Sequence, residues 1–299
     1  MKRVLISGAT GYIGSNLTRK LIALGYEVHI ITRINSKTDK IKDLEKDINI
    51  HVFNGDSSSL IDIMSYVNPD VVIHLASLFI GEHTNEQLHG LINSNIYFPT
   101  QLIEASVKAG VKYFINTGTQ WQNYEGLDYN PVNLYSATKE AFEVISKFYI
   151  ESSDMRMITL KLADTYGPDD DRPKIMNLLL KVYKTQETLN MSKGEQEIGL
   201  VYINDVIKAF LKALNVVEKM KPHEHKKFIV LPKKIYSLKD MVCIFENTIG
   251  QNLNINWGKR EYRQREMMKV YTGEENILDR EETISLEEGI RMILLNDRK

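Results

Sequence analysis

Val4-Leu5-Ile6-Ser7-Gly8-Ala9-Thr10-Gly11-Tyr12-Ile13-Gly14 is the stretch on which the fold turns. A β-branched apolar run passes directly into three glycines, and Ile13, Leu17, Leu21 and Leu24 then recur at helical spacing. Strand, glycine turn and helix in immediate succession form a phosphate-binding fingerprint. Glycine allows a tight turn and lets the backbone approach a pyrophosphate closely, while free N–H groups at the helix N-terminus point at the anion. Gly8, Thr10, Gly11, Tyr12, Ile13 and Gly14 are therefore expected to contact a dinucleotide.

Outward from this turn, Val28-Ile31, His51-Phe53, Val71-His74, Phe114-Thr117 and Met157-Leu162 are further short apolar runs separated by amphipathic segments. This βαβ rhythm predicts an α/β fold, a doubly wound parallel sheet of Rossmann type, with ligands at the carboxyl ends of the strands. After Asp164-Thr165-Tyr166-Gly167-Pro168 the rhythm becomes irregular, and Asp169 to Pro173 reads as a loop. A dinucleotide-binding domain over 1–165 and a smaller α/β substrate lobe over 166–299, partly interleaved with the first, are expected. Helices are predicted at Ile203-Leu214, Leu238-Ile249 and Leu286-Leu295; the strand order of this half does not follow from the sequence.

The chain has 299 residues, 43% of them hydrophobic, enough to bury a large core. Its 38 Lys+Arg and 39 Asp+Glu leave a net charge of −1, which gives no reason to expect a nucleic acid or an anionic membrane as partner. Cys243 is the single cysteine, so no intramolecular disulfide is possible and a reducing, cytoplasmic setting is expected. The N-terminal apolar run stops at Ser7-Gly8, too early for a secretory leader, and no stretch is long enough to span a bilayer. His223-Glu224-His225 lacks a third and fourth metal ligand and reads as a solvated turn, so no metal is expected.

The second strand ends in Arg33, where an NAD-selective site would place an acidic side chain on the ribose 2′-hydroxyl. A guanidinium there can pair with a 2′-phosphate, and Ser36, Lys37 and Lys40 add to the same rim, so NADP(H) is the expected cofactor. The alternative is a solvated basic loop. Asp56 after the third strand and Leu75-Ala76-Ser77 after the fourth fall where adenine and the nicotinamide ribose would be lined; His74 is assigned no chemistry.

Tyr135 and Lys139 lie four residues apart on one face of a predicted helix. A tyrosine with a pKa near 10 is a poor acid or base at neutral pH, but a nearby ammonium and an oxidised nicotinamide favour its phenolate. Such a pair is common by chance. Here it follows the fifth strand of a fingerprinted sheet, and that strand ends in Thr117-Gly118-Thr119, so hydroxyls are at hand.

With these elements, and with Asn95 in NSNIYFPTQLIEA, TYGP at 165–168 and GEQEIGLVYINDV at 194–206, the chain resembles the extended short-chain dehydrogenase/reductases of the NAD(P)-dependent epimerase/dehydratase family over essentially its whole length. The resemblance implies that Tyr135 exchanges a proton with the substrate oxygen, that Lys139 binds the nicotinamide ribose and tunes Tyr135, and that Thr119 hydrogen-bonds the reacting carbonyl, with Thr117 as a second nearby hydroxyl. It implies a nucleotide-diphosphate sugar as substrate and a homodimer formed through the helices at Thr100-Ala109 and Tyr135-Ile150. Dehydratases of this family carry an acidic pair after the threonine; Gln120-Trp121 stands here, and an amide and an indole cannot shuttle that proton.

A 4-ketoreductase using NADPH is then expected, with a 4-epimerase holding NAD(P) tightly, or a non-catalytic NADP sensor, as alternatives. The short interval from Thr119 to Tyr135 and the segment Glu261 to Met268 look most like the branch that reduces 4-keto-3,6-dideoxy sugars on CDP, and Arg263 matches its diphosphate-binding arginine. Trp121 and Tyr166 could stack on a sugar or base, or belong to the core. Two departures stand out. Ile198 replaces a usual second diphosphate arginine, and Asp164 replaces a usual Asn, so the nucleotide half is held differently or the substrate is less anionic.

Overall fold

In the computed structural model, which describes residues 2–297, the chain alternates strands and helices from its first turn. In chain order the first half comprises β1 (Arg3–Ser7), α1 (Tyr12–Ala23), β2 (Glu27–Arg33), β3 (Ile48–Phe53), α2 (Ser57–Val67), β4 (Val71–His74), α3 (Leu88–Ile92), α4 (Phe98–Lys108), β5 (Tyr113–Thr119), α5 (Leu134–Glu151) and β6 (Arg156–Leu162). There follow β7 (Asp164–Tyr166), α6 (Ile175–Thr185), β8 (Leu189–Met191), β9 (Glu197–Ile198), β10 (Leu200–Tyr202), α7 (Ile203–Val217), β11 (His225–Val230), β12 (Tyr236–Ser237), α8 (Leu238–Ile249), β13 (Ile255–Trp257) and α9 (Leu286–Asn296).

Seven strands form one sheet in the order β11-β6-β5-β4-β1-β2-β3, every pair parallel. Because side chains alternate across a strand, Val4 and Ile6 of β1 face one core with α1 and α7, while Leu5 faces the other with α2, α4 and α5. Helices on both faces explain why the central strands read as continuous apolar runs. The chain winds from β1 toward β3 and then crosses to β4, so the strand order reverses between β1 and β4. A crevice opens there at the carboxyl ends.

The second half adds three short two-stranded pairings, β7 with β10, β9 with β12 and β8 with β13, beside the crevice. It also returns to the main sheet, since β11 pairs with β6 from His225↔Met157 to Val230↔Leu162 and α7 packs against β6. Tyr166 is core, 1% exposed, edge-on to Tyr202 with ring centroids 5.6 Å apart, and does not offer a ring to a ligand. The segment read as a solvated turn divides. His223 is exposed at φ +67°, but His225 opens β11 and its Nε2 lies 2.9 Å from Thr159 Oγ1, because the strand continues inward from that point.

Among the described residues no helix is long and apolar enough to cross a membrane, and no cluster of His, Cys, Asp or Glu is arranged to hold a metal.

Burial is the main cause that drives the His225 imidazole down from 6.5 to about 4; the Glu143 carboxylate opposes it, and Lys227 and Lys161 add to it. Between those values the unfolded chain binds the proton and the folded chain does not, so stability declines as pH falls from about 6.5 to 4. Thermal melts across that range should show a shallower decline for His225→Gln than for the wild type. Equal slopes would remove His225 as the cause.

Candidate active site

The glycine turn is a cradle sized for backbone alone. Gly8 has φ +81°, and a Cβ there would lie 2.5 Å from Ala76 N; a Cβ on Gly14 would lie 2.1 Å from Gly8 O. No side chain fits between β1, the first turn of α1 and the strand exit after β4. The surface left open by these glycines suits a dinucleotide's pyrophosphate at the N-terminus of α1.

Two cavities meet at this turn. One, of about 480 Å³, is bounded by Gly8, Thr10, Arg33, Ser36, Ala76 and Phe98 among others, an adenosine-sized recess. The Ser36 hydroxyl accepts the Arg33 backbone N–H at 2.9 Å, closing the loop after β2, and the Arg33 side chain makes no ion pair with the described residues. Lys37 is exposed and does not line the recess, and Lys40 pairs instead with Asp171 at 3.1 Å. Asp56 is exposed at the start of α2 and lies outside both cavities. Lys37, expected on the rim with Arg33, and Asp56, expected beside the adenine, are both carried away from the recess by their loops.

The second cavity, of about 440 Å³, gathers Gly11, Tyr12, Ile13, Gly14, Leu75 and Ser77 with Thr117, Thr119, Trp121, Tyr135, Lys139 and Asp164. Sequence positions more than a hundred residues apart thus share one wall. Asn133 caps α5 by accepting the Ser136 N–H at 3.0 Å, which places Tyr135 in the first turn and Lys139 one turn deeper. The Tyr135 ring stands edge-on to Phe79, centroids 4.9 Å apart. Buried Asn95 joins the neighbouring walls: its Oδ1 accepts Leu78 N–H at 2.8 Å and Ser77 Oγ–H at 3.1 Å, and its Nδ2 reaches Thr138 Oγ1 at 3.0 Å.

Thr119 Oγ1 accepts the Trp121 N–H at 3.3 Å, leaving its own proton free to donate into the cleft. Thr117 Oγ1 is buried with no partner among the described residues. Burial pushes the Tyr135 phenol up to about 12, against the pull of the Ser77 hydroxyl and with help from the Asp164 carboxylate. Burial brings the Lys139 ammonium down to about 8, and Glu143 opposes that fall. In the protein's own field Tyr135 is a protonated acid at neutral pH.

A third recess of about 280 Å³ continues outward past Trp121, lined by Ile198, Arg260 and Arg263. Arg263 lies 5.7 Å from the Trp121 ring centre and 3.5 Å from Glu82. Lys174, which sequence reasoning did not single out, lines both this recess and the inner cleft. Its Nζ is 2.8 Å from Asp164 Oδ1 and 4.3 Å from the centre of Phe79. The carboxylate that was unexpected at position 164 thus has a cation beside it, presented by the loop before α6; no periodicity in Asp169 to Lys174 could have signalled this.

A family model described as "NAD dependent epimerase/dehydratase family" matches residues 4–227. The CDP-abequose synthase of Salmonella muenchen is 28% identical over 298 residues, 98% of this chain and 97% of that protein. That of Yersinia pseudotuberculosis is 27% identical over 267 residues, covering 89% and 90%. Among solved structures, UDP-glucuronic acid 4-epimerase from Bacillus cereus, with UDP-glucuronic acid and NAD, superposes with a TM-score of 0.85 at 23% identity over 99% of both chains.

The cradle makes a direct forecast. Gly14→Ala should destabilise the fold by about 1–3 kcal/mol, since a Cβ has no room, and should abolish the rise in melting temperature expected of the wild-type protein with NADPH or NADH. An undiminished rise in the variant would show that the turn does not hold the dinucleotide.

Proposed function

The chain belongs to the NAD dependent epimerase/dehydratase family, and from that membership we propose that it reduces the 4-keto group of a nucleotide-linked deoxy sugar with NADPH. The observation that carries this reading is the junction of the glycine cradle with Thr119, Tyr135 and Lys139 in one cleft, with Tyr135 held protonated. Reduction needs an acid. The bound dinucleotide would supply hydride to the carbonyl carbon. The Tyr135 phenol gives its proton to the carbonyl oxygen as negative charge develops there, Thr119 Oγ–H donates to the same oxygen, and solvent returns a proton to Tyr135 afterwards. Lys139 holds the ribose and, when charged, favours the transient phenolate.

Arg33 beside the adenosine-sized recess, free of any ion pair with the described residues, supports a 2′-phosphate and hence NADP(H) over NAD(H). Gln120-Trp121 after Thr119 argues against dehydration. CDP-abequose synthases that align along most of the chain favour a CDP-linked substrate, whose diphosphate would meet Arg263 and Lys174 and whose sugar would meet Trp121 and Asp164, all lining the outer recess. A homodimer through α4 and α5 fits the exposure of Val144 and Phe148, one helical turn apart on α5.

The test is loss of reduced-nicotinamide absorbance with NADPH or NADH and a panel of 4-keto-deoxy sugars on CDP, dTDP, GDP and UDP. NADPH should be consumed well ahead of NADH, with the CDP sugar foremost. Arg33→Ala should weaken NADPH by about tenfold or more and NADH little. Tyr135→Phe should lower kcat at least about 100-fold while keeping cofactor affinity. Retention of a stoichiometric nicotinamide through purification, with no net consumption, would instead indicate an epimerase, and full biological effect of Tyr135→Phe a sensor.

A further inference from the structure

Behind the cleft wall lies a buried polar group that the proposed chemistry does not use. Gln122, fully buried just after Thr119, accepts the Thr119 backbone N–H on its Oε1 at 2.8 Å. Its Nε2 donates to Glu143 Oε1 at 2.6 Å and to Glu140 Oε2 at 2.7 Å, both on α5. Glu143 is 3% exposed and sits one helical turn beyond Lys139; its other oxygen is 2.7 Å from Lys227 Nζ on β11. The end of β5 is equally tight, since a Cβ on Gly118 would lie 2.7 Å from Gln122 Oε1.

We propose that Gln122 and Glu143 form a positioning strut that fixes Thr119 at the end of β5 relative to Tyr135 and Lys139 on α5, and that Glu143, one helical turn along α5, is the counter-charge of Lys139. The inference rests on the reductase reading above. Thr119 and Tyr135 must reach the same substrate oxygen, yet they belong to different elements. No direct bond between their side chains holds them in register, whereas Gln122 bridges the two elements through one rigid amide. Three short bonds in a buried setting leave it a single orientation, and each partner left unpaired there would be costly.

The carboxylate is the second half of the device. Burial alone would raise Glu143, but Lys227, Gln122 and Lys161 outweigh it and hold the carboxyl below its ordinary value. Glu143 therefore stays charged one turn from Lys139, whose ammonium burial brings down and Glu143 raises. Around Glu143 lie Glu140 on α5, Lys161 on β6, His225 and Lys227 on β11, and Glu274, which pairs with Lys161 at 2.7 Å. His74, on β4, also feels the Lys139 charge, and burial holds it neutral. None of the others is a carboxylate in a position to replace Glu143 one turn from Lys139.

Two variants of the full-length chain separate alignment from charge, each assayed with NADPH and whichever keto-sugar nucleotide the wild type reduces. Gln122→Met keeps the volume and removes the bridge; kcat should fall about 10- to 100-fold with NADPH affinity unchanged. Glu143→Gln keeps an acceptor for Gln122 and removes the charge. Its kcat well below pH 8 should fall less than that of Gln122→Met, while the alkaline loss of kcat and of NADPH affinity should begin at lower pH, by at least about half a unit. A cooperatively melting Gln122→Met with wild-type kcat, or Glu143→Gln with an unmoved alkaline limb, would overturn the proposal. If Gln122→Met does not fold, the Glu143→Gln limb decides. If the wild type reduces no substrate, the reductase reading fails instead, and the pH dependence of NADPH binding still judges the strut.

Discussion

The approach of three backbone segments at Gly8, Gly14 and Ala76 is the constraint on which the rest of this molecule depends. Without side chains at Gly8 and Gly14, β1 can turn into α1 with the exit of β4 pressed against it. That contact fixes Ala76, and with it Ser77 and Leu78, whose polar atoms are taken by Asn95. Asn95 in turn reaches Thr138, between Tyr135 and Lys139. A steric condition at the first turn is thereby passed by hydrogen bonds to the helix that carries the chemistry.

The cleft divides its electrostatics by depth. Near the glycine turn, burial opposes charge, so Tyr135 stays neutral and the Lys139 ammonium is brought down, with Glu143 opposing that fall. Farther out, the charges are paired across short distances, Lys174 with Asp164 and Arg172 with Asp170, and the aromatic faces of Phe79 and Tyr12 lie against the cations. An anionic ligand entering from outside meets cations that retain unused N–H donors, since a lysine bound to one carboxylate has two left. Deeper in, it meets hydroxyls and a phenol.

How much of this could be read in advance follows from how local each signal is. The strands β1, β2, β4, β5 and β6 and the helices α7, α8 and α9 lie where apolar periodicity puts them, because burial on one or both faces writes itself into neighbouring residues. The glycine turn, Thr119 and the Tyr135/Lys139 spacing carry short motifs and meet in one cavity. Lys37 and Asp56 stay outside the recess beside Arg33 because spacing tells which residues follow a strand but not the direction a loop takes. Lys174, Gln122 and Glu143 carry no motif. Their surroundings come from other elements: an amide after β5, a carboxylate on α5 and an ammonium on β11 meet only once the sheet has closed. Tyr166 was ambiguous for the same reason, its burial depending on Tyr202 and on Gly289, where a Cβ would lie 2.2 Å from the tyrosine oxygen.

The return of β11 to pair with β6 has a consequence for synthesis of the chain. As it leaves the ribosome, the six strands from β1 to β6 are complete about sixty residues before β11 exists, and until then β6 is an open sheet edge with unpaired N–H and C=O groups. Thr159 and Lys161 on that edge then lack His225 and Glu274, their partners in the finished fold. The nascent six-stranded sheet thus stays adhesive along β6 from the completion of that strand until β11 emerges. Recruitment of the last parallel strand closes that window, making the late strand a guard against association as well as a part of the core.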